Sequence, residues 1–243
     1  MIRHINHKKM GHADHGWLDT THHFSFANYY NPDNMQFGIL RVLNDDIVAA
    51  GTGFGTHPHK DMEIVTYVVE GELTHADSMG NKGGVKRGEI QYMSAGTGVL
   101  HSEHNLGKDQ VRFLQIWILP DAANHTPNYG DYRFKWEERE NKWLELVSSV
   151  QNKKSAAPIK IHADTNIYAT NIAKGHDSTF KVGKGRQAYL VLIEGKADIN
   201  GINLNAKDAL EIVEENITIK TDNVAHILIL EMEKPGQGQF KGE

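Results

Sequence analysis

His57-Pro58-His59, read together with His101-Ser102-Glu103, decides how this chain folds and where its chemistry lies. Each is an i, i+2 pair, and alternate residues of a β-strand point to one face, so each pair presents two donors side by side. Strands rise about 3.3 Å per residue and pair about 4.8 Å apart, so two such pairs on neighbouring strands fit around one ion. Three imidazoles and one carboxylate, in a chain without cysteine, suit iron, copper, nickel, manganese or zinc and leave room for a substrate oxygen. Fifteen histidines make an H-x-H by chance unsurprising. The surrounding pattern therefore carries the argument. Gly53 precedes the first pair, Glu63 follows it, and Gly71 closes the β-branched run Ile64-Val65-Thr66-Tyr67-Val68-Val69; Gly88 then opens a second block ending at Gly96-Thr97-Gly98-Val99-Leu100-His101.

Outward from these pairs, β-branched and aromatic runs dominate, with turns of Gly, Asn and Asp between them, and predict an all-β barrel or sandwich. Val111 to Leu119 is apolar on both alternating faces, which predicts a strand buried on both sides. Its polar member, Gln115, is read as a satisfied core amide or a residue facing the site. The halves of the chain echo each other. Val69-Glu70-Gly71 matches Ile193-Glu194-Gly195, Lys86 to Ile90 matches Ala206 to Leu210, and Val111 to Leu119 matches Ala225 to Glu231. Two copies of one barrel are expected, with boundaries at 1–120 and 146–233, a linker at 121–145 holding one helical turn, and a tail at 234–243. The echo also tests the metal site. His57 and His59 lie 14 and 12 residues before Gly71, and the same offsets before Gly195 fall on Lys181 and Gly183. His101 and Glu103 correspond to Lys220 and Asp222. The second copy is expected to lack the metal.

The order of glycines, histidines and glutamate resembles the two motifs of the cupins. His57 to Glu63, Glu70-Gly71, Ser94 to Glu103 and Trp17-Leu18-Asp19-Thr20-Thr21-His22-His23-Phe24-Ser25-Phe26 resemble, more closely, the pirin family. The resemblance is strong in the N-terminal half and weaker in the C-terminal half. It implies two tandem cupin (double-stranded β-helix, jelly-roll) barrels, with one mononuclear metal in the first. His57, His59, His101 and Glu103 are the implied ligands, iron the first choice of ion, and copper, nickel, manganese or zinc the alternatives. Most cupins take a glutamate from the first motif, where Glu63 stands, so Glu63 is expected behind the ligands; Gln115, from its place in the strand expected from Val111 to Leu119, is the other candidate there. Bacterial members that this chain resembles are flavonol (quercetin) 2,3-dioxygenases. The resemblance implies a flavonol and dioxygen as substrates, Glu103 as the base that takes the 3-hydroxyl proton, and opening of the central ring with release of carbon monoxide. Two alternatives stand beside it: a metal- or redox-sensing regulator acting through a protein partner, and another cupin enzyme. An aromatic pocket favours a flavonoid, one rich in Arg and Lys a phosphorylated substrate, and an exposed apolar patch in place of a cavity the regulator.

Composition narrows the rest. The chain of 243 residues suits one or two domains, and without cysteine there is no disulfide frame or iron–sulfur cluster. No stretch approaches the roughly 20 apolar residues that span a membrane, and Met1 to Ile5 begins no apolar leader. A soluble cytoplasmic protein is expected. A formal charge of −5 and a pI near 6.3 offer no basic footprint for direct nucleic-acid binding. His12, His15, His22 and His23 are read as solvated or locally bonded rather than as ligands. Gly51-Thr52-Gly53-Phe54-Gly55 lacks the spacing of a dinucleotide loop, and Glu137 to Glu140 is read as a solvated face.

Overall fold

The computed structural model describes residues 1–236, where the regular elements are strands apart from two 3₁₀ turns, His7–Lys9 and Trp136–Arg139. The expected tail, from residue 237 on, lies outside the described residues. No helix among the described residues is long and apolar enough to cross a membrane.

The chain forms two compact units, each drawn from more than one stretch of sequence. The first comprises Met10–Trp136 with Ser149–Ala163. Its seven-stranded antiparallel sheet runs in the order Asn128–Tyr132, Ile90–Ser94, Glu63–Glu70, Val111–Ile118, Leu40–Val48, Leu18–His22, Gly11–Asp14. A four-stranded sheet runs Gly53–His59, Val99–His104, Glu72–Asp77, Lys82–Lys86. Leu18, Val48, Val68, Val111 and Phe113 of the larger sheet pack with Leu73 and Val85 of the smaller in one buried cluster. That cluster is what apolar alternation on both sheets produces. Val111–Ile118 pairs with Glu63–Glu70 on one side and Leu40–Val48 on the other. A central strand of this kind is covered on both faces, hence its near-continuous apolar run.

The segment expected as a linker behaves differently. Asn128–Tyr132 adds an edge strand to Ile90–Ser94, because Tyr129 and Tyr132 supply the aromatic content that lets a short polar segment pair. The helical turn falls at Trp136–Arg139.

The second unit comprises Met1–Lys9, Glu137–Ser148 and the chain from Asp164 on. Its long strand Arg186–Ile199 pairs with Ala209–Val213 and with Ala225–Glu233, which pairs in turn with Thr165–Ile172. Ile2–Ile5 pairs with Ala209–Val213, so the chain start belongs here rather than with the stretch following it. Ile2 packs against a core of Leu190, Leu192, Leu210, Ile212, Ile227 and Ile229, and burying that apolar edge is the driving force for the crossing.

Gly71 and Gly195, matched in the sequence echo, do the same job. Both have positive φ, 78° and 91°, at the approach to the following partner strand. A Cβ on Gly195 would lie 1.7 Å from the Val224 carbonyl oxygen. Gly195→Ala is therefore expected to cost about 3 kcal/mol, a left-handed backbone penalty plus a clash with unyielding backbone. Gly201→Ala shares the φ problem (83°) but meets nothing within 4 Å, so about 1 kcal/mol is expected. Urea denaturation of both variants checks the difference; equal losses would mean the Val224 contact relaxes freely.

Candidate metal centre

Gly53–His59 and Val99–His104 are neighbouring antiparallel strands in which His57 stands opposite His101. The i, i+2 spacing puts His59 beside His57, and the rings converge: centroids are 4.8 Å apart for His57–His59, 4.4 Å for His57–His101 and 4.9 Å for His59–His101. One ligand nitrogen of each lies within 4.8 Å of the others. The Gly55 carbonyl accepts from His57 Nδ1 at 2.7 Å, so Nδ1 carries the proton and Nε2 keeps its lone pair. Burial, with a smaller contribution from His57, lowers the pKa of His59 to about 4, and burial with His57 and His59 lowers that of His101 to about 3. All three coordinating roles require neutral imidazole. His101 Nε2 is buried without a hydrogen-bond partner, a state that costs about 1–3 kcal/mol unless something fills it. These residues fit a divalent transition metal.

Glu103 is fully buried and held from the facing sheet. Five strands carry polar residues in register across that sheet, His22 opposite Asn44, Asn44 opposite Gln115, Gln115 opposite Thr66, and Thr66 opposite Gln91. Glu103 accepts from Gln91 Nε2 at 2.6 Å, from Gln115 Nε2 at 2.7 Å and from Thr66 Oγ1 at 3.3 Å. Burial nevertheless outweighs these donors and pushes its pKa up to about 7. The pairing register shifts between His101 and Glu103. The carboxylate accordingly falls in a donor group with His101 and His75, while the other group holds His57, His59 and His101.

Of the two residues expected behind the ligands, Gln115 touches Glu103 directly. Glu63 does not join either group; its Oε1 accepts from Ser94 Oγ at 2.7 Å at the far end of the Glu63–Glu70 strand. Sequence reasoning passed over His75 and Asp77, although they repeat the i, i+2 spacing. His75 Nε2 lies 3.0 Å from Asp77 Oδ2, its Nδ1 3.5 Å from His101 Nδ1, and its ring stacks on Tyr129 at 4.4 Å. Gln91 and Thr66 were also missed, since an amide and a hydroxyl in a strand carry no signal until the register is known.

A cavity of about 520 Å³ opens on His57, His59 and Glu103. Phe26, Tyr29, Phe54 and Trp117 supply its aromatic walls, and among the described residues no Lys or Arg lines it. Trp117 stands edge-on to His59 at 4.8 Å. His12, His15 and His22, read from sequence as local, line the cavity as well; His22 bonds Asn44 at 3.0 Å and belongs to no metal-donor group among the described residues.

Two β-barrel units, the first carrying converged imidazoles and a buried glutamate beside an aromatic cavity, define a bicupin whose N-terminal barrel has a donor cluster that could hold a metal. The Pirin family model matches residues 4–118, and the model for the quercetinase C-terminal cupin domain matches residues 146–232. The chain belongs to the pirin family. It is 43% identical over 224 residues to a quercetin 2,3-dioxygenase of Escherichia coli K12, covering 91% of this chain and 94% of that one. It is likewise 43% identical over 224 residues to a pirin-like protein of Caulobacter vibrioides, covering 92% and 96%. Among solved structures, the bacterial pirin YhhW of Escherichia coli in complex with nickel(II) superposes with a TM-score of 0.89 at 41% identity, covering 97% of this chain and 100% of that one.

Proposed function

We propose that this chain is a metal-dependent flavonol 2,3-dioxygenase acting on quercetin-like substrates in the cytoplasm. The observation that carries the reading is the aromatic cavity of about 520 Å³ open to His57, His59 and Glu103. It lies within the roughly 300–1,000 Å³ range of small-molecule sites, and without Lys or Arg it suits a flat, uncharged polyphenol better than a phosphorylated substrate. A regulator working through a partner calls for an exposed apolar face instead of such a cavity.

His57, His59 and His101, with Glu103, would hold the metal, iron first among the candidates. When bound, the ion supplies positive charge that acidifies the flavonol 3-hydroxyl. The remaining roles fall to the protein. Glu103, whose pKa burial raises to about 7 in the metal-free protein, would receive that proton as it loosens from the ion, since a bound cation favours its ionised form, and Gln91, Gln115 and Thr66 hold its carboxylate in place. Trp117, Phe26 and Phe54 exclude water and orient the ring system. Dioxygen then contributes both atoms to the product while one ring carbon leaves as carbon monoxide, giving a depside.

Asp46 is a further polar residue that lines the cavity. It is buried, stands opposite Thr20, and its Oδ1 has no hydrogen-bond partner. Such an atom in an aromatic wall suits a phenolic hydroxyl. Asp46→Ala is expected to raise KM for quercetin by roughly 5–30-fold with a smaller change in kcat, the effect of about 1–2 kcal/mol of lost hydrogen bonding. An unchanged KM would remove Asp46 from the binding surface.

The reading is tested by measuring bound metal by mass spectrometry and following quercetin loss and carbon monoxide release under oxygen. Metal-dependent turnover that Glu103→Gln abolishes supports it. About one bound ion without turnover, after reconstitution with iron, copper, nickel or manganese, overturns it in favour of the regulator.

A further inference from the structure

Among the described residues, one group of donors shares no member with the imidazole centre, and a buried carboxyl with an unpartnered oxygen, that of Glu63, belongs to the same unit. We propose that Asp121, His125 and His162, with Glu63 behind them, form a second divalent-cation site in the same unit, sharing no donor with the first. One ligand atom from each of Asp121, His125 and His162 lies within 4.8 Å of the other two. The donors come from distant stretches, two from the loop after Val111–Ile118 and one just past Ile159–Ile161.

The backbone holds them there before any ion arrives. The Asp121 N–H donates to the His162 carbonyl at 2.7 Å, the Thr97 N–H to the His125 carbonyl at 3.0 Å, and the Asn124 N–H to Asp61 Oδ1 at 2.5 Å. Gly96, at φ 42°, permits this approach; a Cβ there would lie 1.9 Å from the His125 carbonyl oxygen. The rings of His125 and His162 lie nearly parallel with centroids 3.9 Å apart, and His125 Nε2 is 2.7 Å from Asp121 Oδ1. A pre-formed arrangement pays little ordering entropy on binding.

Glu63 is the independent observation. It is 1% exposed, its Oε1 is satisfied by Ser94, and its Oε2 is buried with no hydrogen-bond partner. Burial raises its pKa; Ser94, then the His162 backbone and, less strongly, the rings of His162 and His125 oppose that rise, so the carboxyl lies close to the segment that carries His162. An unsatisfied buried carboxylate oxygen is costly. A cation at the cluster compensates it, either by direct ligation or through the histidines. Two imidazoles and carboxylate oxygen, without thiolate, suit zinc, nickel or copper rather than calcium or magnesium. Asp121 is exposed and both histidines are partly so, which makes the ion exchangeable. Its effect would be to clamp the loop carrying Asp121 and His125 to the segment carrying His162.

The bland reading is a hydrogen-bonded His–Asp pair with a ring stacked on it. Zinc separates the two. Wild-type protein stripped with chelator and titrated with zinc alone is expected to bind two equivalents; the folded His125→Gln/His162→Gln variant is expected to bind one. Glu63→Gln is expected to weaken the second equivalent by roughly 10–100-fold, as loss of a supporting partner does. A single equivalent in wild type, or two in the double variant, overturns the proposal. Should the double variant not fold, anomalous scattering at the zinc edge from zinc-soaked wild-type crystals decides: a peak bonded to His125 and His162 sustains the site, and its absence at saturating zinc overturns it.

Discussion

The His57→Ala/His101→Ala protein is expected to purify with the first centre empty, and to refuse metal there on reconstitution. These residues face each other across the strand pair and supply two of the three converged imidazoles. The loss in affinity should exceed the roughly 10–100-fold that follows from removing a mere supporting partner. The fold should survive, because the hydrophobic cluster of Leu18, Val48, Val68, Leu73, Val85, Val111 and Phe113 contains neither residue. Removing His101 also removes a buried nitrogen without a partner, so stability without metal should fall little or rise. Zinc titration of this variant keeps the two sites distinct: the equivalent assigned to His125 and His162 should remain. Undiminished binding of both equivalents, with an unchanged circular dichroism spectrum, would mean that the imidazoles do not make the centre.

Glu103→Gln should separate holding metal from turning over substrate. The three imidazoles remain, so part of the metal should remain, whereas loss of a general base costs roughly 10²–10⁴ in rate. A second consequence needs no substrate. Burial raises Glu103 from its ordinary 4.5 to about 7 in the folded protein. Between these values the unfolded chain is ionised and the folded one is not, so the folded state binds more protons and stability falls as pH rises. The stabilisation is fully present below about 4.5 and gone above about 7. Glutamine cannot titrate. Metal-free Glu103→Gln should therefore match wild type near pH 5 to within about 1 kcal/mol and exceed it at pH 8 by about 3 kcal/mol. Urea denaturation of the two metal-free proteins at both pH values measures this. A gap that does not widen toward pH 8 would show that Glu103 titrates as an ordinary surface carboxyl.

Much of the fold was legible because β-structure is written in short-range patterns. The two-residue alternation, the positive-φ glycines at Gly71 and Gly195, and the repeated order of motifs together require two barrels. The three histidines were legible for the same reason: i, i+2 spacing determines which face a side chain takes without reference to the rest of the chain. Ile2–Ile5 and Asn128–Tyr132 were not. A short strand has no partner preference of its own, and both found theirs through apolar or aromatic edges far along the sequence. Gln115 apart, the surroundings of Glu103 were invisible for a similar reason. Gln91, Thr66 and Gln115 meet only because three strands pair in one particular register, and a one-residue slip would turn each side chain to the opposite face. The N-terminal histidines are locally bonded or exposed, as read; that three of them also line the cavity could not be read, because it depends on what covers them.

Sequence alone therefore determined the β class, the doubled architecture and the convergence of His57, His59 and His101, since these follow from backbone geometry within a strand or between adjacent motifs. Tertiary structure decided the ionisation of Glu103, the aromatic cavity, and the meeting of Asp121 and His125 with His162. Each of these depends on burial and long-range register, and desolvation acts on a group only after distant strands have closed over it.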